Sequence, residues 1–297
     1  MTLYSVVQNY LLELEGQAVG RLFGMSGGGA QGEVIRSTDS SSLVHKHLGN
    51  VKYQDMVLKC GTGMARAFYD WIGNSLGGAL VHKSGAVVFL DVNNAPSARL
   101  EFKDALITSL EFPELSAGAK DHAYMTLTIS PEMTRTTTAD SSQKPGVYVS
   151  KLTKAWYIND FRLKIDGLES ECKHISTIGA LRIGQKIVSD SIDSKLPGGS
   201  DYSDLKVTLV GTPGLAFYKW FEDFVELGKS SAQDEKSGLL EFFAPNLTKS
   251  YFELEFTGLG PYKVEVAKRP DPKTSLPATY TMYCNAMKFR AGPAAVM

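Results

Sequence analysis

Cysteine, histidine, net charge and long apolar runs are all scarce in this chain, and each shortage closes off a class of function. Three cysteines, Cys60, Cys172 and Cys284, stand far apart in 297 residues, in odd number and without C-x-x-C spacing. Neither a disulfide framework nor a cysteine zinc site is therefore expected, and a reducing, cytosolic place of synthesis fits. Among the five histidines, His45 and His47 would share one face of a strand, but no third ligand follows at a recognisable spacing. His82, His122 and His174 are isolated, so no metal site and no cofactor is expected. Basic residues number 31 against 32 acidic ones, which leaves no bulk field to recruit nucleic acid or an acidic membrane. No run approaches the ~20 apolar residues of a membrane span. The opening MTLYSVVQNYLLELEG has no basic region, and Gln8, Asn9 and Glu13 interrupt its apolar residues, which argues against a signal peptide. Without a secretory context, the glycosylation pattern Asn246-Leu247-Thr248 carries no meaning. Carboxylates are scattered with no inferable pair for acid–base work, and no basic stripe is interleaved with aromatics for reading nucleic acid.

What is present is a repeat. ARAFYDWIGN near residue 70 returns as GLAFYKWFED near residue 220. Tyr53, Asp55, Phe68 and Trp71 meet Tyr202, Asp204, Phe217 and Trp220 at a constant separation of 149 (68 to 217). Downstream, KSGAVVFL from Lys83 meets KSGLLEFF from Lys236 (83 to 236, a separation of 153), and LEFKDAL from Leu100 meets LEFTGLG from Leu254 (100 to 254, a separation of 154). AYMTLTIS from Ala123 then faces TYTMYCNAMKF from Thr279. Order is kept while the separation drifts, as small loop insertions make it, which identifies an internal duplication. The boundary is expected within TRTTTADSSQKPG, Thr134 to Gly146, a Thr/Ser-rich stretch closed by Pro145-Gly146. That gives one unit over 1–146 and a second over 147–297.

Within each unit the apolar residues mostly alternate. Met125, Leu127 and Ile129 alternate with threonines, and Phe161, Leu163 and Ile165 with Arg162 and Lys164, the signature of half-buried strands. The repeated motif follows the helical period instead. Phe68, Trp71, Ile72 and Leu76 fall on one face, as do Phe217, Trp220, Phe221, Phe224 and Val225, with Gly77 and Gly228 as stops. The expected fold is mainly β, two tandem β-barrel or sandwich domains, each with one flanking α-helix. The helical aromatics are expected in the core and not in a ligand box.

One stretch, FGMSGGGAQG, satisfies two catalytic patterns at once. Gly24, Ser26 and Gly28 give the nucleophile-elbow spacing of a serine hydrolase, and Gly27, Gly29 and Gly32 the dinucleotide-binding spacing. Both need a helix next, whereas Val34 and Ile35 and a polar segment follow. A glycine-rich hairpin turn is the better expectation, with a hydrolase using Ser26 as the rival.

The order of pieces in the first unit resembles the tail tube protein family of contractile bacteriophages, shared with the tube proteins of contractile injection systems. In that family a strand close to ITLKRG leads into a helix close to FFDWI, and then a strand pair containing A-x-P-x-x-L-x-x-P-x-L. Val57-Leu58-Lys59, Phe68 to Ile72, and Ala105 through Leu115 with Pro113 occupy those places. In the second unit GPYKVEVAKRPDPKTSLPATY departs from the family's proline-marked turn. The resemblance implies a non-enzymatic structural role: rings that stack into a hollow tube inside a contractile sheath, joining sheets of neighbouring subunits and removing exposed edges. A tube-initiating ring or baseplate hub is the alternative within assembly. Implied partners are copies of the chain itself, sheath, baseplate, spike and tape-measure proteins, and DNA or cargo passing through the lumen without sequence reading. The implied location is the virion, after assembly in the bacterial host cytoplasm. Ser37 to Asn50 and Ile187 to Gly199 are the expected loops between rings, carrying Asp39, His45, Lys46, His47, Asp190, Asp193 and Lys195. Three chains of two domains, or six chains using one domain each, both satisfy ring symmetry.

Overall fold

A computed structural model describes residues 9–38, 43–139, 156–189, 195–210, 214–244, 248–266 and 277–295. The first half runs β1 (Asn9–Leu14), β2 (Gln17–Gly27), β3 (Ala30–Thr38), β4 (Val44–Tyr53), β5 (Met56–Cys60), α1 (Arg66–Leu76), β6 (Lys83–Leu90), β7 (Pro96–Phe112), β8 (Leu115–Ser116), β9 (Met125–Ser130) and β10 (Met133–Thr138). The second runs β11 (Phe161–Ile165), α2 (Glu169–Cys172), β12 (Ile175–Ile178), β13 (Leu181–Ser189), β14 (Lys195–Tyr202), β15 (Leu205–Val210), α3 (Gly214–Phe221), a π-helical turn (Glu222–Glu226), β16 (Lys236–Phe243), β17 (Ser250–Val266) and β18 (Pro277–Ala291).

The repeat is topological as well as textual. Pairings β1–β6, β6–β7, β2–β5, β5–β9 and β3–β4 recur as β11–β16, β16–β17, β12–β15, β15–β18 and β13–β14. Even the irregularities recur: a bulge between Ile107 and Ser109 against β9 returns between Pro261 and Lys263 against β18. The positive φ of Asp104 returns at Gly258.

The two halves nevertheless close differently. In the first, β7-β6-β1-β2-β5-β9 form a ring, because β9 pairs back onto β7. Closure depends on the tight β1–β2 hairpin, whose turn residues Glu15 and Gly16 both have positive φ, the backbone that matches strand twist in a two-residue hairpin. Glu15 tolerates this conformation while its amide donates to the Ser84 carbonyl and its carboxylate accepts from the Ser84 amide, both at 2.9 Å. In the second half α2 and its flanking turns stand between β11 and β12, which do not pair among the described residues. The sheet stays open, with a cleft of about 400 Å³ beside Phe161, Leu163, Cys172 and Ile175. The first half covers the exposed edge of β12 with β8, Ser116 opposite Thr177 and Leu115 opposite Ile178.

One hydrophobic core runs through both halves. At its centre Phe112 of β7 stacks on Phe242 of β16 at 4.8 Å and touches Trp156, Phe252 and Phe289. Helix α1 crosses to the second half, where Tyr69 meets Phe252 at 5.7 Å. As expected from periodicity, Phe68, Trp71, Ile72 and Leu76 are buried, and so are Phe217, Trp220, Phe221 and Phe224. Trp71 Nε1 donates to the Val81 carbonyl at 3.1 Å, and Trp220 Nε1 to that of Asp234 at 3.3 Å, a matched anchor in each copy. Val225 is a correction: it is exposed, because the helix widens to a π turn after Phe221 and rotates that residue off the apolar face. The Thr-rich beginning of the expected linker is also a strand. Thr134 to Thr138 pair with β7, as β-branched threonines readily do; residues 140–146 lie outside the described residues.

Candidate assembly interface

The segments expected as polar loops are β-hairpins. Their apolar residues are irregularly spaced, with Val34 and Ile35 adjacent on β3 and Val44, Leu48 and Val51 on β4, and only Leu181-x-Ile183 at the start of β13 keeps the strand period. Asp39, Asp190 and Asp193 lie outside the described residues. His45, Lys46 and His47 lie on β4, exposed, with His47 Nε2 3.2 Å from Ser37 Oγ.

The second hairpin does not stand alone. β13 adds to the sheet of the first half, pairing antiparallel with the end of β7: Leu181 opposite Phe112, Arg182 opposite Glu111, Ile183 opposite Leu110 and Gly184 opposite Ser109. Leu181 and Ile183 are buried by the joint, about 1.5–3 kcal/mol each in apolar burial. Arg182 on the outer face lies 3.4 Å from Glu111 and 3.1 Å from Asp201; such exposed pairs set register more than stability. β14 forms the end of this sheet, and Pro197, which cannot donate a ladder bond, suits an edge strand.

Lys195 anchors the hairpin. Its amide donates to Glu132 Oε1 at 2.6 Å, and its ammonium donates to the Pro131 carbonyl at 2.6 Å and to Ser130 Oγ at 3.0 Å. The Ser130 hydroxyl in turn donates to Asp55 at 2.5 Å. Lys195, expected between rings, therefore joins the two halves of one chain. Sequence reasoning missed Ser130, Glu132, Arg182 and Glu111; the Leu181-x-Ile183 alternation was the available signal, but its partner strand lies some 70 residues away (112 to 181).

The place in the second half equivalent to Ser130–Glu132 is Tyr283–Asn285. There Glu235 accepts from Tyr283 Oη at 2.7 Å and from Asn285 Nδ2 at 3.0 Å. Burial, and then that bond to Glu235, pushes the Tyr283 hydroxyl up to about 12. Burial pushes the neighbouring Cys284 thiol up to about 11.

Ser26 sits exposed on β2 and is followed by a glycine turn into β3. Strand–turn–strand is not the strand–turn–helix that a nucleophile elbow requires. Among the described residues no cluster of histidine, cysteine and carboxylate has metal-binding geometry, and no helix is long and apolar enough to cross a membrane.

Residues 6–135 match the family model described as T4-like virus tail tube protein gp19. No curated protein matches the chain. Among solved structures, the chain is similar to a component of the sheath–tube complex of an extracellular contractile injection system called PVC, in its extended state. The two are 17% identical with a TM-score of 0.41, covering 47% of this chain and 95% of that one. It is also similar to a chain of the anti-feeding prophage cap, which terminates that particle's tube, at 19% identity and TM-score 0.41, covering 47% and 94%. A third is a chain of the anti-feeding prophage baseplate, at 15% identity and TM-score 0.41, covering 46% and 98%.

Proposed function

We propose, taking as premise that residues 6–135 match the tail tube family, that this chain is a structural tail tube protein whose two repeats occupy neighbouring positions in a ring. The observation that carries this reading is the β13–β7 joint. A hairpin of one repeat continues the sheet of the other, the kind of edge-to-edge addition that builds a multi-subunit wall from repeated units. With units 1–146 and 147–297 both in the wall, a ring of six units holds three chains. Stacked rings enclose a lumen for DNA or cargo, within a sheath and above a baseplate, in a phage tail or an injection particle assembled in the host cytoplasm. Asp39, His45, His47, Asp190 and Asp193 contact the adjacent ring, whereas Lys46 and Lys195 serve joints within a ring. The matched family is named for a tube and not a catalyst, and Ser26 lacks the elbow geometry. A hydrolase and a non-stacking hub are accordingly not favoured.

Electron microscopy of the purified full chain tests the reading. Stacked rings with a central channel and three chains per ring are expected. A compact monomer at every concentration, absent from tail or injection particles, overturns it; single rings that never stack point to an initiator.

A further inference from the structure

The internal joint is made once per chain, yet both of its halves exist twice. The bulges align the two copies residue by residue. The bulge of β7 at Ile107/Ser109 matches that of β17 at Pro261/Lys263, so the β7 segment Ser109–Glu111 that receives β13 corresponds to Lys263–Glu265. On the hairpin side, the bulge Gly32/Val34 of β3 matches Gln185/Ile187 of β13. The same alignment makes the Gln54 amide donating to the Gly29 carbonyl at 2.9 Å the counterpart of the Ser203 amide donating to the Arg182 carbonyl at 3.0 Å. Arg182, Ile183 and Gly184 therefore correspond to Gly29, Ala30 and Gln31.

Each of these counterparts lacks what its equivalent has. β17 pairs with β16 only as far as Leu259, so beyond it one edge of the strand has no partner among the described residues. Among the described residues β3 and β4 form a two-stranded sheet whose strands pair only with each other, with Val34, Ile35, Leu48 and Val51 exposed, Leu48 to 80%. An isolated hairpin of this kind is marginal in water, and unpaired edges invite another strand. The two edges belong to one chain but face different neighbours, because the internal joint already uses β13 and β7.

We propose that β3 of one chain pairs antiparallel with the end of β17 of a second copy, Ala30 opposite Val264, Gln31 opposite Lys263 and Gly29 opposite Glu265, repeating the internal joint between chains. The joint begins at Gly29, since the Gly28 amide and carbonyl are engaged by Asp55 and Thr134. Glycine and alanine at the start of β3 keep side chains out of the approaching backbone, which gives the glycine run that mimics catalytic motifs a role in packing. Charge agrees with the pairing. Lys46 aligns with Lys195, and where Lys195 finds Ser130–Glu132, Lys46 meets Tyr283–Asn285 and the Glu235 carboxylate beside them. The contact is head-to-tail, so it propagates to a closed ring or an open helix and not to a two-fold dimer.

This inference rests on the tube reading but is tested separately from it. In a Cys284→Ser background, Gln31→Cys chains are mixed with Lys263→Cys chains and oxidised. Facing residues of an antiparallel pair lie within disulfide reach, so a covalent heterodimer is expected. Tyr262→Cys, whose residue lies at the bulge and out of register with Gln31, should cross-link at least about tenfold less. Lys46→Glu should weaken association about threefold, with Glu235→Lys restoring it. The same samples are imaged. Rings without the Gln31–Lys263 cross-link overturn the joint and leave the tube reading standing. Cross-linked oligomers that never stack uphold the joint and overturn the tube. Uncross-linked monomers overturn both.

Discussion

Replacing Phe112 with alanine tests whether the two repeats fold as one body. Phe112 closes β7, is 2% exposed and stacks on Phe242 while touching Trp156, Phe252 and Phe289, all four from beyond residue 150. Burying about 200 Å² of phenylalanine at about 25 cal/mol per Å² amounts to about 5 kcal/mol. Measured truncations of core phenylalanines fall at about 3–5 kcal/mol, because the cavity relaxes only in part. An effect of about 4 kcal/mol is therefore expected, a large share of the 5–15 kcal/mol typical of a folded domain. With a urea dependence of about 3 kcal/mol per molar for a chain of this size, the midpoint should fall by about 1.3 M. Urea unfolding followed by circular dichroism and by tryptophan fluorescence is the assay. The three tryptophans Trp71, Trp156 and Trp220 sample α1, the stretch before β11, and α3. A shared core requires both signals to move together in the wild type and the variant alike. A shift below about 0.4 M, or two separate wild-type transitions of which Phe112→Ala moves only the first, would refute a common core.

Other consequences are simpler to measure. Gly27 has φ +84, and a Cβ there would meet the Asp55 carbonyl; Gly27→Ala should cost about 3 kcal/mol in thermal or urea unfolding. Gly118, with open space around it, should accept alanine within about 0.5 kcal/mol, and equal effects at the two positions would contradict the backbone argument. The thiol of Cys284 is raised from 9.0 to about 11 by burial, and burial raises Cys60 further still. Alkylation proceeds through the thiolate, so at pH 8 native Cys284 should react about 100-fold more slowly than a free thiol, speeding up tenfold per pH unit until about pH 11. Mass spectrometry of labelled peptides reads this directly, and labelling of half-buried Cys284 at the denatured rate would contradict the raised thiol.

Legibility followed distance along the chain. The helical stripe Phe68–Trp71–Ile72 and the alternation of β9 and β11 were readable because their spacing is local. The departure of Val225 from its stripe was not, since a π turn is imposed by packing and leaves no spacing of its own. The hairpins were obscured for another reason: the apolar residues of β3 and β4, adjacent at Val34 and Ile35 and sparse at Val44, Leu48 and Val51, do not follow the strand period. Lys195 was expected between rings, and in this chain it bonds to Ser130, Pro131 and Glu132. Nothing near it in sequence announces Ser130 or Pro131, more than 60 residues away.

The sequence by itself determined that the chain is a duplication and that each copy is mainly β with one amphipathic helix whose aromatic stripe is buried, because these depend on periodicities of a few residues. Only the tertiary structure decided that the first copy closes while the second stays open, since closure turns on whether a two-residue turn or α2 separates two strands that must meet. It alone decided that the copies share a core and exchange strands, because pairing an edge depends on which distant strand is left without a neighbour.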